Sequence, residues 1–219
     1  MKRCTPALWR ARFWALVACA ALGLAGAANA QNQDSPNAGP FRTTSDSQDS
    51  NLMLEGHDAV AYFTQNEAIK GDPAIRTERL GVTYRFISEA NKAEFLRAPH
   101  RYMPQFGGFC SNGINYAIPW GGGGGPNTWR IYRGKLYVFG GQSSRDHFEM
   151  DTERNLELAH KYWNEEVADS TAIITRYKRL ILRVPHYKTG KELQAEWDAK
   201  LAAKTLPVMP GGPQVVPAK

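Results

Sequence analysis

The sequence predicts an α+β fold, in which a small antiparallel sheet with packed helices is followed by a C-terminal helical extension. Two observations predict the sheet: residues 82–86 alternate β-branched and aromatic side chains, and residues 129–139 form two such segments around a glycine turn. A third observation predicts the helices, because apolar residues recur at three- and four-residue spacing after Thr152. Aromatic residues make up 11% of the chain, and they supply volume for a core.

The first clear strand and helix are adjacent in the sequence. Residues 82–86 read Val-Thr-Tyr-Arg-Phe, which is typical of a strand. Ser88 then predicts the start of a helix over 89–98, because its hydroxyl can accept a hydrogen bond from a backbone N–H of the first turn. Pro99 follows at once, so we expect the helix to end there.

A β-hairpin is predicted next. Strands at 129–132 and 135–139 flank Arg133 and Gly134, which have the length and composition of a two-residue turn. Five consecutive glycines at 121–125 precede the hairpin, and their ordering costs much backbone entropy. We therefore expect a mobile loop at 121–125.

Three helical segments complete the chain. The first begins near Thr152 and ends a domain that we place at 51–167. Residues 170–184 read as a basic amphipathic helix, which could contact a membrane surface or a partner. The alternative is that it packs on its own domain with the basic residues outward. A weaker helix over 188–204 belongs to the same helical extension, 168–206. The first helix places five residues on one face: Leu156, Ala159, His160, Trp163 and Val167.

The first 30 residues predict an export signal. Four basic residues, at positions 2, 3, 10 and 12, accompany an apolar run over 13–27 that is too short to span a bilayer. An Ala-Asn-Ala motif then ends at Ala30. We expect cleavage after Ala30 and a periplasmic or secreted protein of a bacterial cell. Cys19, in Leu-Val-Ala-Cys, offers lipoprotein processing as an alternative.

The charge balance argues against nucleic-acid binding. The chain has 27 Lys and Arg against 21 Asp and Glu, a formal charge of +6. Four of the basic residues belong to the signal, so the remainder carries only +2, and no basic face is evident. The polar segment 31–50 and the Pro- and Gly-rich tail 207–219 lack apolar periodicity, so we expect both to be flexible.

One cysteine, Cys110, remains after the signal is removed, so no intramolecular disulfide can form. Cys110 follows Gly107 and Gly108, whose missing Cβ atoms let a backbone or a ligand come close. A thiolate there would suit Cu(I) or Zn²⁺. A free cysteine can equally pack as a small buried hydrophobe. Both interpretations stay open, and no local motif supplies a base for nucleophilic catalysis.

Three motifs carry a resemblance to a known family: GHDAVAYF at 56–63, YRFISEANKAEFLRAPHRYMPQFGGFC at 84–110 and PNTWRIYRGKLY at 126–137. Over about residues 52–165 the chain resembles the exported form of the YHS-domain proteins. The resemblance implies a small YHS-like α+β domain. Related short domains, found beside copper-transporting ATPases and in some oxygenases, are proposed to bind soft metals through cysteines.

The chain departs from this family at several positions. The short domains have cysteines at places that hold Ala61, Ile87 and Asn91 here, so their metal cage is not expected. Closer relatives usually have an Asp where Gly125 precedes Pro126. Any metal site must therefore use other donors.

Cys110 and His57 are the candidate ligands for a copper or zinc ion, because neutral imidazole is a common metal donor. His100 and Met103 form an alternative pair, three residues apart. We expect Asp58 to cap or turn the chain rather than to coordinate.

The sequence therefore favours an exported, non-catalytic binding protein for a soft metal ion or a small ligand. The alternative is a protein- or membrane-interaction module that uses 170–184, with the YHS-like domain structural. An oxidoreductase that uses Cys110 is a third hypothesis, although no catalytic signature argues for a reaction. His147 is expected at the surface, and His160 as a packed, hydrogen-bonded core residue.

Overall fold

The computed structural model describes residues 40–116, 125–168, 174, 177–183 and 188–207. The predicted signal at 1–30, the glycines at 121–124 and the tail beyond residue 207 lie outside these residues. Within them the fold is mixed α and β, with a four-stranded sheet, a two-stranded hairpin and several helices.

The four-stranded sheet is mixed, which corrects the predicted antiparallel sheet. Its strands are β1 (Thr43–Thr44), β2 (Leu52–Met53), β3 (Asp72–Arg79) and β4 (Val82–Phe86), in the order β1-β2-β4-β3. The pairs β1–β2 and β3–β4 are antiparallel, but β2 runs parallel to β4. The chain leaves β2 through a short helix and returns as β3 before β4 forms, and a parallel pair requires such a crossover.

The strand β4 and the helix that follows it build the first core. Helix α2 spans Glu89–Arg97, and the Ser88 hydroxyl accepts a hydrogen bond of 3.1 Å from a backbone N–H of its first turn. Phe95 of α2 is fully buried against Tyr84 and Phe86 of β4, with ring centroids 4.7 and 5.2 Å apart. The predicted strand at 82–86 and the predicted helix after Ser88 are confirmed.

Residues 40–50 belong to the folded domain, although the sequence places them in the flexible segment 31–50. They include β1, and Asp46 and Asp49 bind Arg85 of β4 through four hydrogen bonds of 2.5 to 3.0 Å. The hydrogen bonds from Arg85 hold the pKa of Asp46 well below its ordinary value. A guanidinium as buried as that of Arg85 requires such partners, so the acidic residues here serve an ion pair.

The predicted hairpin is confirmed. Strands β5 (Gly125–Tyr132) and β6 (Lys135–Phe139) are joined by Arg133 and Gly134, whose φ angles of 49° and 70° suit a type I′ turn. The loop 104–110 runs alongside β6 and is bridged to it at both ends.

Three helices, α4 (Ser111–Tyr116), α5 (Gln142–Glu149) and α6 (Thr152–Tyr162), form a second core with the hairpin. The helix predicted from Thr152 is confirmed, and Asp151 caps it. The sequence did not predict α5, because its N-cap residue, Gly141, has no side chain that could mark the start of a helix. Two short helices, α1 (Ala61–Thr64) and α3 (Pro99–Tyr102), pack in the first core instead, and the last helix is α7 (Gly190–Ala202).

Helix α7 corresponds to the helix predicted over 188–204. Thr189 and Glu192 form a capping box at its start, in which each side chain binds the other residue's backbone N–H. Leu193 is buried with Tyr116 and Met150 in a small third cluster. The last helix therefore packs on the domain rather than extending away from it.

Candidate functional site

Cys110 lies at the end of the loop beside β6, directly before α4. It is buried, with 6% of its surface exposed, within the second core. Its Sγ accepts a hydrogen bond of 3.2 Å from the Gly140 N–H and lies 3.0 Å from the Ser144 Oγ. The polar neighbours of the sulfur are therefore a backbone N–H just before α5 and a hydroxyl of α5, and neither is a nitrogen or sulfur ligand for a metal ion.

The two glycines before Cys110 allow another segment of the chain to pack closely against this loop. Gly107 has a φ of +58°, and a Cβ there would lie 2.2 Å from the carbonyl oxygen of Pro40. The Arg42 N–H donates to the Gly107 carbonyl at 2.8 Å. Gly108, with a φ of +81°, lies against Met53. The predicted close approach is thus made by backbone from residues 40–42.

His57 is half-buried at the entry to the first core. Its Nδ1 lies 2.9 Å from the carbonyl oxygen of Leu54 and therefore carries the proton that it donates there. Burial lowers the pKa of His57, so the ring is neutral near pH 7. This arrangement leaves Nε2 as the ring atom suited to a metal ion.

Among the residues that the structure describes, no three or more His, Cys, Asp or Glu side chains cluster in a way that could hold a metal ion. The alternative donors also have other environments. Met103 is fully buried in the first core. The Nε2 of His100 lies 3.2 Å from Nη2 of Arg79. In this part of the chain, neither Cys110 nor His57 belongs to such a cluster. Cys110 contacts Gly140 and Ser144, whereas His57 contacts Leu54.

Two other histidines differ from their predicted environments. His147, predicted at the surface, is buried in α5, where its Nε2 lies 3.1 Å from Oε1 of Gln194. The prediction is wrong because α7 covers this side of α5. His160 has the predicted contacts, to the Tyr137 hydroxyl at 3.1 Å and the Phe106 ring at 5.0 Å. It lies at the exposed rim of the core, however, rather than inside it.

Asp58 is a fully buried carboxylate with four hydrogen bonds. Its Oδ1 accepts from the backbone N–H groups of Val60 and Ala61 at 2.8 and 3.3 Å. Its Oδ2 accepts from the Ile87 N–H at 2.9 Å and from Nδ2 of Asn91 at 2.7 Å. The predicted role in turning the chain is confirmed, but no local pattern in the sequence indicates that the same group also binds the β4–α2 junction.

We term residues 177–183 the exposed turn. The sequence predicts that a helix packed here would point its basic residues outward and its apolar residues inward, and the structure shows a different arrangement. Lys178–Leu182 forms a wide helical turn in which Arg179 is fully buried. The prediction of outward basic residues is therefore wrong for Arg179. The apolar residues of the turn have 44–66% of their surface exposed: Tyr177, Leu180, Ile181 and Leu182.

The Arg179 side chain explains this orientation. Its Nη1 donates to the Gly113 carbonyl at 3.1 Å, and its Nη2 lies 3.5 Å from Oε2 of Glu166. The guanidinium also lies over the Tyr162 ring, 5.6 Å from the centroid. A buried charge must be paired and hydrogen-bonded. These partners direct Arg179 inward, and the neighbouring apolar side chains consequently face solvent.

The sequence around the exposed turn is strongly basic. From residue 170 to 191 there are six Lys and Arg and no Asp or Glu. Lys178 is exposed on the turn itself, and Ile174 adds another exposed apolar side chain before it. Two of the cations are paired with carboxylates of α7, Arg183 with Glu192 at 3.1 Å and a lysine with Glu196.

Comparisons with known proteins leave the family open: no protein-family model, curated protein or solved structure matches this chain. Across the described parts of the chain, none of the helices combines the length and the apolar character needed to span a bilayer.

Proposed function

We propose that the chain is a non-catalytic binding protein that docks on an anionic membrane surface through the exposed turn. The observation that carries this proposal is the set of apolar side chains held outward beside an inward Arg179. Tyrosine, aliphatic and basic residues together are typical of segments that lie in the membrane interface. The predicted export signal supports the proposal, because it would bring the protein to a bacterial membrane.

The expected binding energy suits reversible docking. Transfer of apolar surface from water contributes roughly 25 cal/mol per Å², so three partly inserted aliphatic side chains contribute about 1 kcal/mol each or more. Each Lys or Arg near an anionic surface adds about 1 kcal/mol. With Lys178 and one further basic residue near the surface, the total reaches about 5 kcal/mol, comparable to a single acyl chain.

In this proposal the YHS-like domain is a scaffold. The three positions at which the short domains have cysteines, Ala61, Ile87 and Asn91, all bind the Asp58 carboxylate here. Their convergence on one group supports the resemblance, since the family's metal cage requires the same positions to meet. On this resemblance a buried carboxylate would stand where the short domains hold their metal, and we infer that this part of the domain is structural.

A copper or zinc ion bound by Cys110 and His57 stays a second proposal. The observation in its favour is the neutral His57 ring, whose Nδ1 is fixed on a backbone carbonyl as in many metal-binding histidines. At Cys110, the metal would have to replace the hydrogen bonds from Gly140 and Ser144.

Vesicle flotation tests the membrane proposal. The chain without its predicted signal is mixed with vesicles of phosphatidylglycerol and phosphatidylcholine at a ratio of 3:7. We expect flotation at low salt and loss of it in high salt. Replacement of Ile181 and Leu182 by serine should lower the vesicle affinity at least about tenfold, because it removes two inserted side chains.

A matched control is available, since Leu80 and Leu96 are 55% and 56% exposed in other parts of the molecule. The Leu80→Ser, Leu96→Ser double variant should float like the parent chain. Equal loss in both double variants, or no flotation of the parent, would reject the exposed turn as a membrane-docking site.

A further inference from the structure

Two arginines, Arg130 of β5 and Arg145 of α5, are buried in the hairpin layer, away from the exposed turn. They retain 8% and 3% of their surface, respectively. Helix α5 packs across β5 and β6, and its Glu149 binds Arg130. Arg145 lies one turn before Glu149 in the same helix, close enough to interact electrostatically with Arg130. Buried arginines are rare unless their charge and N–H donors are matched. The partners of these two residues are therefore informative.

The hydrogen bonds of Arg130 and Arg145 do not use all of their N–H donors. Nε of Arg130 donates to Oε1 of Glu149 at 2.6 Å, and the Tyr132 hydroxyl donates to the same oxygen at 2.7 Å. Nη2 of Arg145 donates to Oε1 of Gln142 at 2.6 Å. Nη1 of Arg130 and Nε of Arg145 are buried, and neither has a hydrogen-bond partner among the described residues. An unpaired buried donor is costly, and more so on a charged group.

The charges of the region are also incompletely matched. Burial lowers the pKa of Arg145, and the positive charge of Arg130 lowers it further, so the two cations repel each other. In the described part of the chain, Glu149 is the carboxylate that binds Arg130, while Arg145 binds a neutral amide. Asp146 is nearby, but it binds Gln142, and burial raises its pKa. A further negative group would satisfy both arginines.

We propose that Arg130 and Arg145 bind a small oxyanion, of the phosphate, sulfate or carboxylate class, between β5 and α5. The guanidinium fork matches the oxygens of such groups, and charge-assisted hydrogen bonds to them are strong. The side chains of Arg130 and Glu149 each retain 10% of their surface, so this ion pair has an edge in contact with solvent. The inference is independent of membrane docking and uses no residue of the exposed turn.

Inorganic phosphate is the probe for the test. Thermal unfolding of the chain without its signal is followed in sodium phosphate and in sodium chloride of equal ionic strength, and the affinity is measured by calorimetric titration. Phosphate at about ten times its Kd should raise the Tm by roughly 3–5 °C. Arg145→Met should abolish this rise. Arg133→Met is the matched control, because Arg133 is a 74% exposed arginine of the same hairpin, and it should keep the rise.

Glu149→Gln should increase phosphate binding rather than abolish it, and a loss of stability alone would not produce such an increase. The amide oxygen can still accept from Arg130 and Tyr132, while the competing negative charge is removed. Phosphate affinity should therefore rise at least about threefold. The proposal is overturned if the parent chain shows no phosphate-specific rise, if Arg145→Met keeps it, or if Glu149→Gln leaves the affinity unchanged; the donors would then be satisfied by water. If Arg145→Met does not fold, the result for Glu149→Gln decides.

Discussion

Asp58 links three local structures through one buried carboxylate. Two of its hydrogen bonds close the start of α1, and the other two reach the end of β4 and the first turn of α2. The hydrogen bonds that Asp58 accepts from the neighbouring backbone were predictable, because an Asp side chain commonly accepts from backbone N–H groups two or three residues further on. The partners on the β4–α2 side lie 29 and 33 residues away, and no local pattern announces them.

Replacement of Asp58 by alanine should destabilise the fold strongly. Several buried donors would lose their acceptor, and each costs about 1–3 kcal/mol, so we expect the free energy of unfolding to fall by roughly 3 kcal/mol or more. Urea unfolding followed by circular dichroism measures the change. Asp72→Ala is the control, since Asp72 is exposed and accepts one N–H, from Ala74 at 2.8 Å. Similar losses in both variants would contradict the central role of Asp58.

The soft-metal proposal makes a separate prediction at Cys110. Anaerobic titration with Cu(I) and with Zn²⁺ should then show binding tighter than micromolar, and both Cys110→Ser and His57→Gln should weaken it at least about tenfold, because each removes one ligand. Unchanged affinity in the Cys110→Ser variant would exclude the sulfur as a ligand. Binding no tighter than micromolar would leave Cys110 as a packed core residue.

At the scale of elements, the segments that the sequence predicted well are those with local signals. Gly134 supplies the positive φ of the hairpin turn, and Ser88 supplies a cap for α2. Helix α5 has neither signal, because the residue before it is Gly141, which has no side chain to cap the helix. The sequence therefore does not predict α5. The orientation of Arg179 depends on Gly113 and on groups of α6 and its continuation, which are distant in sequence. An amphipathic pattern alone assigns every arginine to the outer face.

Arg179→Ala should release the exposed turn from the domain. The variant loses the bond to Gly113 and the contacts with Glu166 and Tyr162, so the turn should open more often. Chymotrypsin cleaves after tyrosine and leucine, and we expect cleavage within 177–182 to become at least about tenfold faster. Mass spectrometry identifies the sites. The neighbouring Lys178→Ala variant should be cleaved like the parent, and equal rates in all three chains would contradict the anchoring role.

At the scale of the whole molecule, the described residues form two main hydrophobic cores. The basic C-terminal segment adds the exposed turn, whose apolar side chains lie at the surface. The buried Asp58 adjoins Ala59 and Val60 of the first core, and Cys110 belongs to the second, so both are held by hydrogen bonds within the domain. The exposed turn is different, because its apolar side chains have 44–66% of their surface exposed. Large exposed apolar patches typically mark interaction surfaces.

The depth of residue 181 on a membrane tests this account most directly. A nitroxide label is attached at Ile181→Cys, or at Leu96→Cys as a control, in a Cys110→Ser background, and its collisions with oxygen and with a water-soluble nickel complex are measured on anionic vesicles. We predict that vesicles shield the label at 181 from nickel and expose it to oxygen, while the label at 96 stays in water. A label at 181 that remains as accessible to nickel with vesicles as without them would contradict membrane docking by the exposed turn.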